Sequence, residues 1–123
     1  MAAPGARTRD RLRTFALALP GAWEDFPWGD RVVKVDKKIF VFLGLDEPPD
    51  AHGIGVKLVE SHEQALAVPG ASPSGYGLGK AGWVSIPLGD NDPPVDVAED
   101  WVEESYRLVA PKRLTAELDR RAT

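Results

Sequence analysis

The sequence predicts an α+β fold: a central antiparallel sheet of four to five strands, an N-terminal helix, a short inserted helix and two C-terminal helices. Two observations predict it. Apolar residues alternate with a period of two in the middle of the chain, and they recur at helical spacing towards both ends. Strands grouped in this way favour α+β, whereas regularly alternating strands and helices would indicate a parallel sheet. The 123 residues suit a single domain over residues 1–123.

The first element is predicted to be a helix that begins near Thr8, a residue type that suits the N-cap position. Residues 1–7 are expected to be disordered. An apolar stripe at positions i, i+3, i+4 and i+7 then marks the buried face of the helix. The stripe consists of Leu12, Phe15, Ala16 and Leu19. Pro20-Gly21 ends the helix, because neither residue type continues one.

A β-hairpin is predicted around Asp36-Lys37, because residues 33–35 and 39–43 alternate on either side of this two-residue turn. Another alternating segment, residues 53–59, predicts the next strand. The last strand is predicted at residues 82–88, where Pro87 indicates an edge position or a strand end.

The remaining elements are helices. Ser61 and Gln64 have the spacing of a capping box, which predicts the start of the short helix, and Pro69-Gly70 ends it. A broad apolar face predicts a longer helix over Val95–Val109. Pro111 suits the first position of the last helix.

Composition excludes several classes of function. The chain has no cysteine, which excludes disulfides, thiolate nucleophiles and zinc–cysteine sites and fits a reducing, cytoplasmic location. No apolar run approaches the roughly 20 residues that a membrane-spanning helix needs. The net charge of −4, from 19 acidic and 15 basic residues, argues against indiscriminate nucleic-acid binding and leaves only a local basic patch open.

The motifs of catalysis and cofactor binding are incomplete. The stretch GYGLGKAG is similar to a phosphate-binding loop, but Ser74 stands where that loop needs glycine and Ala81 where it needs a hydroxyl. Asp50 and His52 supply two metal ligands, fewer than the three or four that protein metal sites use. No nucleophile-elbow sequence occurs. We therefore expect no catalytic residue, no metal and no cofactor.

Aromatic residues give a second hypothesis. Trp23, Phe26 and Trp28 are expected to pack where prolines and glycines shape the connection between the first helix and the hairpin. Trp83 either packs or stacks on a base or a ligand. In the alternative to nucleic-acid binding, Trp28, Tyr76 and Trp83 form a cleft beneath the glycine-rich stretch that binds a small molecule or a protein.

Five pieces of sequence, in order, resemble the MmcQ/YjbR family over residues 12–118. They are LPGAWEDFPWG, KIFVFLG, GVKL, GKAGWVSIPL and SYRLV. The resemblance implies a compact fold like that of CyaY/frataxin, with no catalytic activity. It also implies DNA binding through two hairpin-like wings beside the sheet.

Carried onto this chain, the first wing is the hairpin around Asp36-Lys37, and the second is residues 74–83. The resemblance implies these DNA-contacting residues: Arg31, Lys34, Lys37, Lys38, Lys57, Lys80 and Trp83. Binding is expected to be weak, salt-sensitive and directed at phosphates, by a monomer. Asp30 and Asp36 in the first wing, and Ala81 in the second, weaken this expectation. A charged hairpin tip that protects a strand edge from aggregation is the other interpretation of the lysines.

Overall fold

The computed structural model describes residues 6–27, 31–44, 53–75, 78–88 and 93–121. Its helices are α1 (Ala6–Leu17), α2 (His62–Leu66), α3 (Val95–Val109) and α4 (Lys112–Arg121). Its strands are β1 (Ala22–Asp25), β2 (Arg31–Val35), β3 (Lys38–Gly44), β4 (Gly53–Lys57), β5 (Ser72–Pro73) and β6 (Trp83–Pro87). A 3₁₀ turn, Leu78–Ala81, precedes β6. These elements confirm the predicted α+β class and the predicted order of the helices.

The described strands form one sheet in the order β1-β2-β3-β4-β6-β5, and every neighbouring pair is antiparallel. The six strands exceed the predicted four to five. The additional strands are β1 and β5, which lie at the two ends of the sheet. Both are short, with four and two residues, so alternation of apolar residues is too brief in them to predict a strand.

The edge strand β1 corrects one expectation about packing. It pairs with β2 from Ala22↔Val35 to Asp25↔Val32. Trp23 is 44% exposed and Phe26 is 54% exposed, so the prediction that these two rings pack into the protein is wrong. An edge strand has a neighbour on one side only, so Trp23 in β1 and Phe26 directly after it have few surrounding side chains to cover them. Trp28 lies outside the described residues.

The predicted hairpin is present as β2, the turn Asp36-Lys37 and β3. Asp36 has a φ of 57°, in the left-handed region that aspartate tolerates better than most residues. A register shift between Val33 and Lys34 places Phe40 and Val41 both in the core. Phe42 consequently lies on the opposite face of the sheet.

Helices α1 and α3 cover one face of the sheet, and the hydrophobic core lies between them and the strands. The predicted stripe of α1 is buried at Leu12, Ala16 and Leu19. On α3, Trp101 is 2% exposed and is among the largest fully or almost fully buried side chains of the core. Helix α1 begins two residues before the predicted cap Thr8, and α3 has the predicted bounds.

A buried hydroxyl on α3 joins two strands of the sheet. The Lys57 backbone N–H donates to Ser105 Oγ at 2.9 Å, and Ser105 Oγ donates to the Phe40 carbonyl at 2.5 Å. The β3–β4 ladder extends from Phe42↔Gly55 to Val41↔Val56, and Phe40 and Lys57 are the next residues along. Ser105 therefore replaces a direct backbone bond at the point where β3 and β4 separate.

The residues on either side of Ser105 are also anchored. Tyr106 Oη donates to the Pro20 carbonyl at 2.6 Å, which attaches the end of the α1–β1 connection to α3. Glu104 Oε2 accepts hydrogen bonds from the Val59 N–H at 2.8 Å and the Ser61 N–H at 3.3 Å. Three consecutive residues of α3 thus attach it to three separate segments of the chain.

The predicted capping box at α2 is wrong. The Ser61 side chain makes no cap hydrogen bond. Gln64 Oε1 instead accepts a hydrogen bond from Trp101 Nε1 at 3.2 Å. The Ser61 N–H, at the N-terminal end of α2, donates to the carboxylate of Glu104. Burial alone would raise the pKa of Glu104, but the bonds from Val59 and Ser61 hold that pKa below its ordinary value.

None of the helices in the described ranges combines the length and the apolarity that crossing a membrane requires.

Candidate functional site

The tip of the β2–β3 hairpin carries the first group of predicted DNA-contacting residues. Lys37 and Lys38 are exposed there, next to the exposed Asp36. Both strands of the hairpin are interior strands of the sheet, flanked by β1 and β4. The lysines therefore do not protect a free strand edge, which removes the basis of that interpretation.

The other two predicted cations of the first wing lie beside carboxylates of β1. Lys34 Nζ is 2.8 Å from Asp25 Oδ2, and Arg31 Nε is 3.7 Å from Glu24 Oε2. The hydrogen bond from Lys34 is the main reason that the pKa of Asp25 is below its ordinary value, so this carboxylate stays charged over a wide pH range. The positive charges of Arg31 and Lys34 are thus partly compensated.

The same two cations also lie over aromatic rings. Lys34 Nζ is 5.2 Å from the centre of the Trp23 ring, and the Arg31 guanidinium carbon is 5.8 Å from the centre of the Phe26 ring. Both distances are within the range of cation–π attraction. The ion pairs and the rings hold these side chains against β1 and the residue that follows it. The sequence does not predict strand β1, so neither contact could be predicted from it.

In the second wing, Lys80 is exposed in the 3₁₀ turn, whereas Trp83 is only 8% exposed. The Trp83 ring meets the Phe42 ring edge-on, with 5.3 Å between centres. Lys57 is the cross-strand partner of Trp83 in the β4–β6 ladder, so the sheet brings these two predicted residues together. The packing of Trp83 leaves little of its ring available for stacking on a base.

Four of the predicted lysines differ from Lys34 in their surroundings. Within the part of the chain that the structure describes, no carboxylate forms an ion pair with any of them. They are Lys37, Lys38, Lys57 and Lys80. Their charges remain available to an anionic partner.

A cleft of about 570 Å³ lies on the face of the sheet that α1 and α3 do not cover. Strand β4 alternates there, so Ile54 and Val56 enter the core while Gly53 and Gly55 form the floor of the cleft. A Cβ on Gly55 would lie 3.3 Å from two atoms of Phe42, so glycine lets that side chain lie directly over β4.

The walls of this cleft come from four segments of the chain. Phe42 contributes the aromatic wall, and Leu78 and Pro87 contribute aliphatic ones. Three hydroxyl groups also line the cleft, from Ser72, Ser74 and Ser85. Ser74 Oγ and Ser85 Oγ are 2.8 Å apart and share a hydrogen bond. No charged side chain is among the lining residues in the described ranges.

The cleft lies beneath the glycine-rich stretch, where the alternative hypothesis places one, but it involves different residues. Trp28 and Tyr76 are outside the described residues. Trp83 does not line the described part of the cleft and instead supports Phe42 from the side. The glycines of the floor are visible in the sequence GIGVK, but their position in a cleft depends on the order of the strands.

Among the described residues, no group of three or more histidine, aspartate or glutamate side chains is arranged to hold a metal ion. Asp50 and His52, the pair considered from the sequence, are outside those residues.

Comparisons with known proteins agree on one family. A family model described as YjbR matches residues 17–108, within the region over which the sequence resembles that family. A crystal structure of Deinococcus radiodurans protein DR2400, with a DUF419 domain, is similar to this chain with a TM-score of 0.68 and 28% identity. The similarity covers 89% of this chain and 86% of that one. No curated protein matches.

Proposed function

The chain belongs to the MmcQ/YjbR family, and we propose that it is a non-enzymatic protein that binds DNA weakly through phosphate contacts. The observation that best supports this proposal is the exposed pair Lys37 and Lys38 at the end of a hairpin. Strand β1 borders the turn, where Trp23 Nε1 donates to the Asp36 carbonyl at 2.9 Å, but the side chains of Lys37 and Lys38 are exposed to a DNA phosphate. Lys57 and Lys80 are the secondary contacts.

Lysines at these positions favour contact with phosphates over reading of bases. An ammonium group is a point charge that positions a protein on the duplex without sequence information. If the four lysines each neutralise one phosphate, log K falls with log salt with a slope of about −3 to −4. The net charge of −4 repels DNA from the rest of the surface, so binding is weak at physiological salt.

The ion pairs of β1 divide the first wing into two parts. Lys34 must give up part of its interaction with Asp25 to contact a phosphate, whereas Lys37 and Lys38 have no such described partner. We therefore expect the tip lysines to contribute more to DNA binding than Lys34 or Arg31. The double substitution Lys37→Ala, Lys38→Ala should reduce the magnitude of the salt slope by about two.

Fluorescence anisotropy with a labelled duplex tests this proposal. The matched control is the double substitution Lys112→Ala, Arg113→Ala, which removes the same charge from exposed positions on α4. Loss of affinity in the tip variant, with affinity retained in the control, supports a contact at the hairpin. Equal losses in both variants would show that only net charge matters, and unchanged affinity in the tip variant would contradict the proposal.

A second candidate function is the binding of a small molecule in the cleft. Its volume of about 570 Å³ falls within the roughly 300–1,000 Å³ typical of ligand sites, which supports this candidate. Amide NMR spectra recorded with mixtures of small aromatic compounds test it. Shifts confined to Gly53, Gly55 and Gly70 support a ligand site, whereas scattered or absent shifts contradict it.

A further inference from the structure

We infer that the cleft binds an uncharged, flat ring that carries adjacent N–H and C=O groups, the chemistry of a uracil-type base. This inference rests on the second candidate function, ligand binding in the cleft, and specifies the class of ligand. It does not depend on the lysines of the hairpin.

The lining of the cleft favours a neutral ligand. Its described side chains are apolar or carry hydroxyls, and none is charged. A charged group in the cleft would lose hydration and would find no ionic partner among the described lining residues. The exposed ammonium of Lys80 and the side chain of Lys57 are not among the lining residues.

The aromatic wall favours a flat ligand. The Phe42 side chain lies over Gly55, 3.3 Å from where a Cβ would stand, so the Phe42 ring is the surface that a ligand meets there. Phe42 is held on one side by the edge-on contact with Trp83 and borders the cleft on the other. A ring that is fixed in this way offers offset or edge-to-face contact to a second ring.

The serine pair favours a lactam edge. In a hydrogen bond between Ser74 Oγ and Ser85 Oγ, one hydroxyl donates its hydrogen to the other. The accepting hydroxyl keeps its own hydrogen for another partner, and both oxygens keep acceptor capacity. The pair therefore offers one donor and adjacent acceptors, which complements a C=O beside an N–H.

Uridine is the direct probe, and 3-methyluridine is its matched control, because the methyl group removes the N–H and keeps the ring. In amide NMR titrations, uridine is expected to shift the Gly53, Gly55 and Gly70 amides saturably. The dissociation constant should rise about tenfold for 3-methyluridine and for the variant Ser74→Ala, Ser85→Ala. Thr115→Ala removes a hydroxyl on α4, outside the cleft, and should leave the constant unchanged.

The outcomes separate this inference from the functions proposed above. Shifts at the cleft glycines with indole, and none with uridine, would overturn the lactam class and leave ligand binding in the cleft standing. No shift with either compound would overturn both. A single-stranded oligothymidylate that binds more tightly than uridine at the same amides would support the ring class and identify its source as an unpaired base. Equal or weaker binding would support a free nucleoside as the source.

Discussion

Substitution of Ser105 by alanine should destabilise the fold far more than the loss of one hydroxyl group suggests. Ser105 is 0% exposed, and its Oγ satisfies two backbone groups, the Lys57 N–H and the Phe40 carbonyl. A buried polar group left without a partner costs about 1–3 kcal/mol. Two such groups give about 2–6 kcal/mol. The loss falls towards the lower limit if β3 and β4 close up and bond directly.

Urea denaturation measures this loss as a shift of the midpoint. With an m value of about 2 kcal/mol/M, the middle of the usual range, Ser105→Ala should lower the midpoint by about 1–3 M and leave m unchanged. The matched control is Arg107→Ala on the same helix, which removes exposed ion pairs with Glu103 and Asp119. That control should cost no more than about 1 kcal/mol. If Ser105→Ala costs as little as the control, the bridge between β3 and β4 does not stabilise the protein.

Two further predictions concern the neighbours of Ser105 on α3. Tyr106→Phe removes the hydrogen bond to the Pro20 carbonyl at 2.6 Å and should lower the free energy of unfolding by about 1–2 kcal/mol in the same urea assay. A midpoint equal to that of the wild type would contradict this role. The pKa of Glu104 is lower in the folded protein than its ordinary value of 4.5, so its contribution to stability is complete above that value and is lost as pH falls through the folded pKa. Glu104→Gln should therefore reduce the loss of stability on acidification, measured by urea denaturation from neutral to acidic pH. An unchanged acid dependence would exclude Glu104 as a contributor.

The sequence predicts those parts of the fold whose signal is local. Helix α3 has the predicted bounds Val95–Val109 because its apolar face repeats over four turns. The hairpin at Asp36-Lys37 is also predicted, because alternation and a turn stand together in one short segment. Ser105 gives no such signal, since its partners Phe40 and Lys57 are 65 and 48 residues away.

The candidate site also has a part that the sequence indicates and a part that only the fold shows. Family resemblance points to the lysines, but only the folded sheet shows that Asp25 meets Lys34 while Lys37 and Lys38 have no described carboxylate partner. The pairing of β1 with β2 produces this difference. The sequence does not predict β1 as a strand, because the acidic residues Glu24 and Asp25 have low β-propensity. The cleft likewise requires β6 to lie beside β4, a connection that periodicity does not specify.

Contact between the lysines and DNA phosphates is tested most directly by the anisotropy of a labelled DNA duplex titrated with this protein, first at low salt and then at a series of salt concentrations. Saturable binding at low salt and a log–log slope of about −3 to −4 are expected, in accord with four available lysines. Absence of binding at low salt, where attraction to phosphates is strongest, would contradict the proposed function.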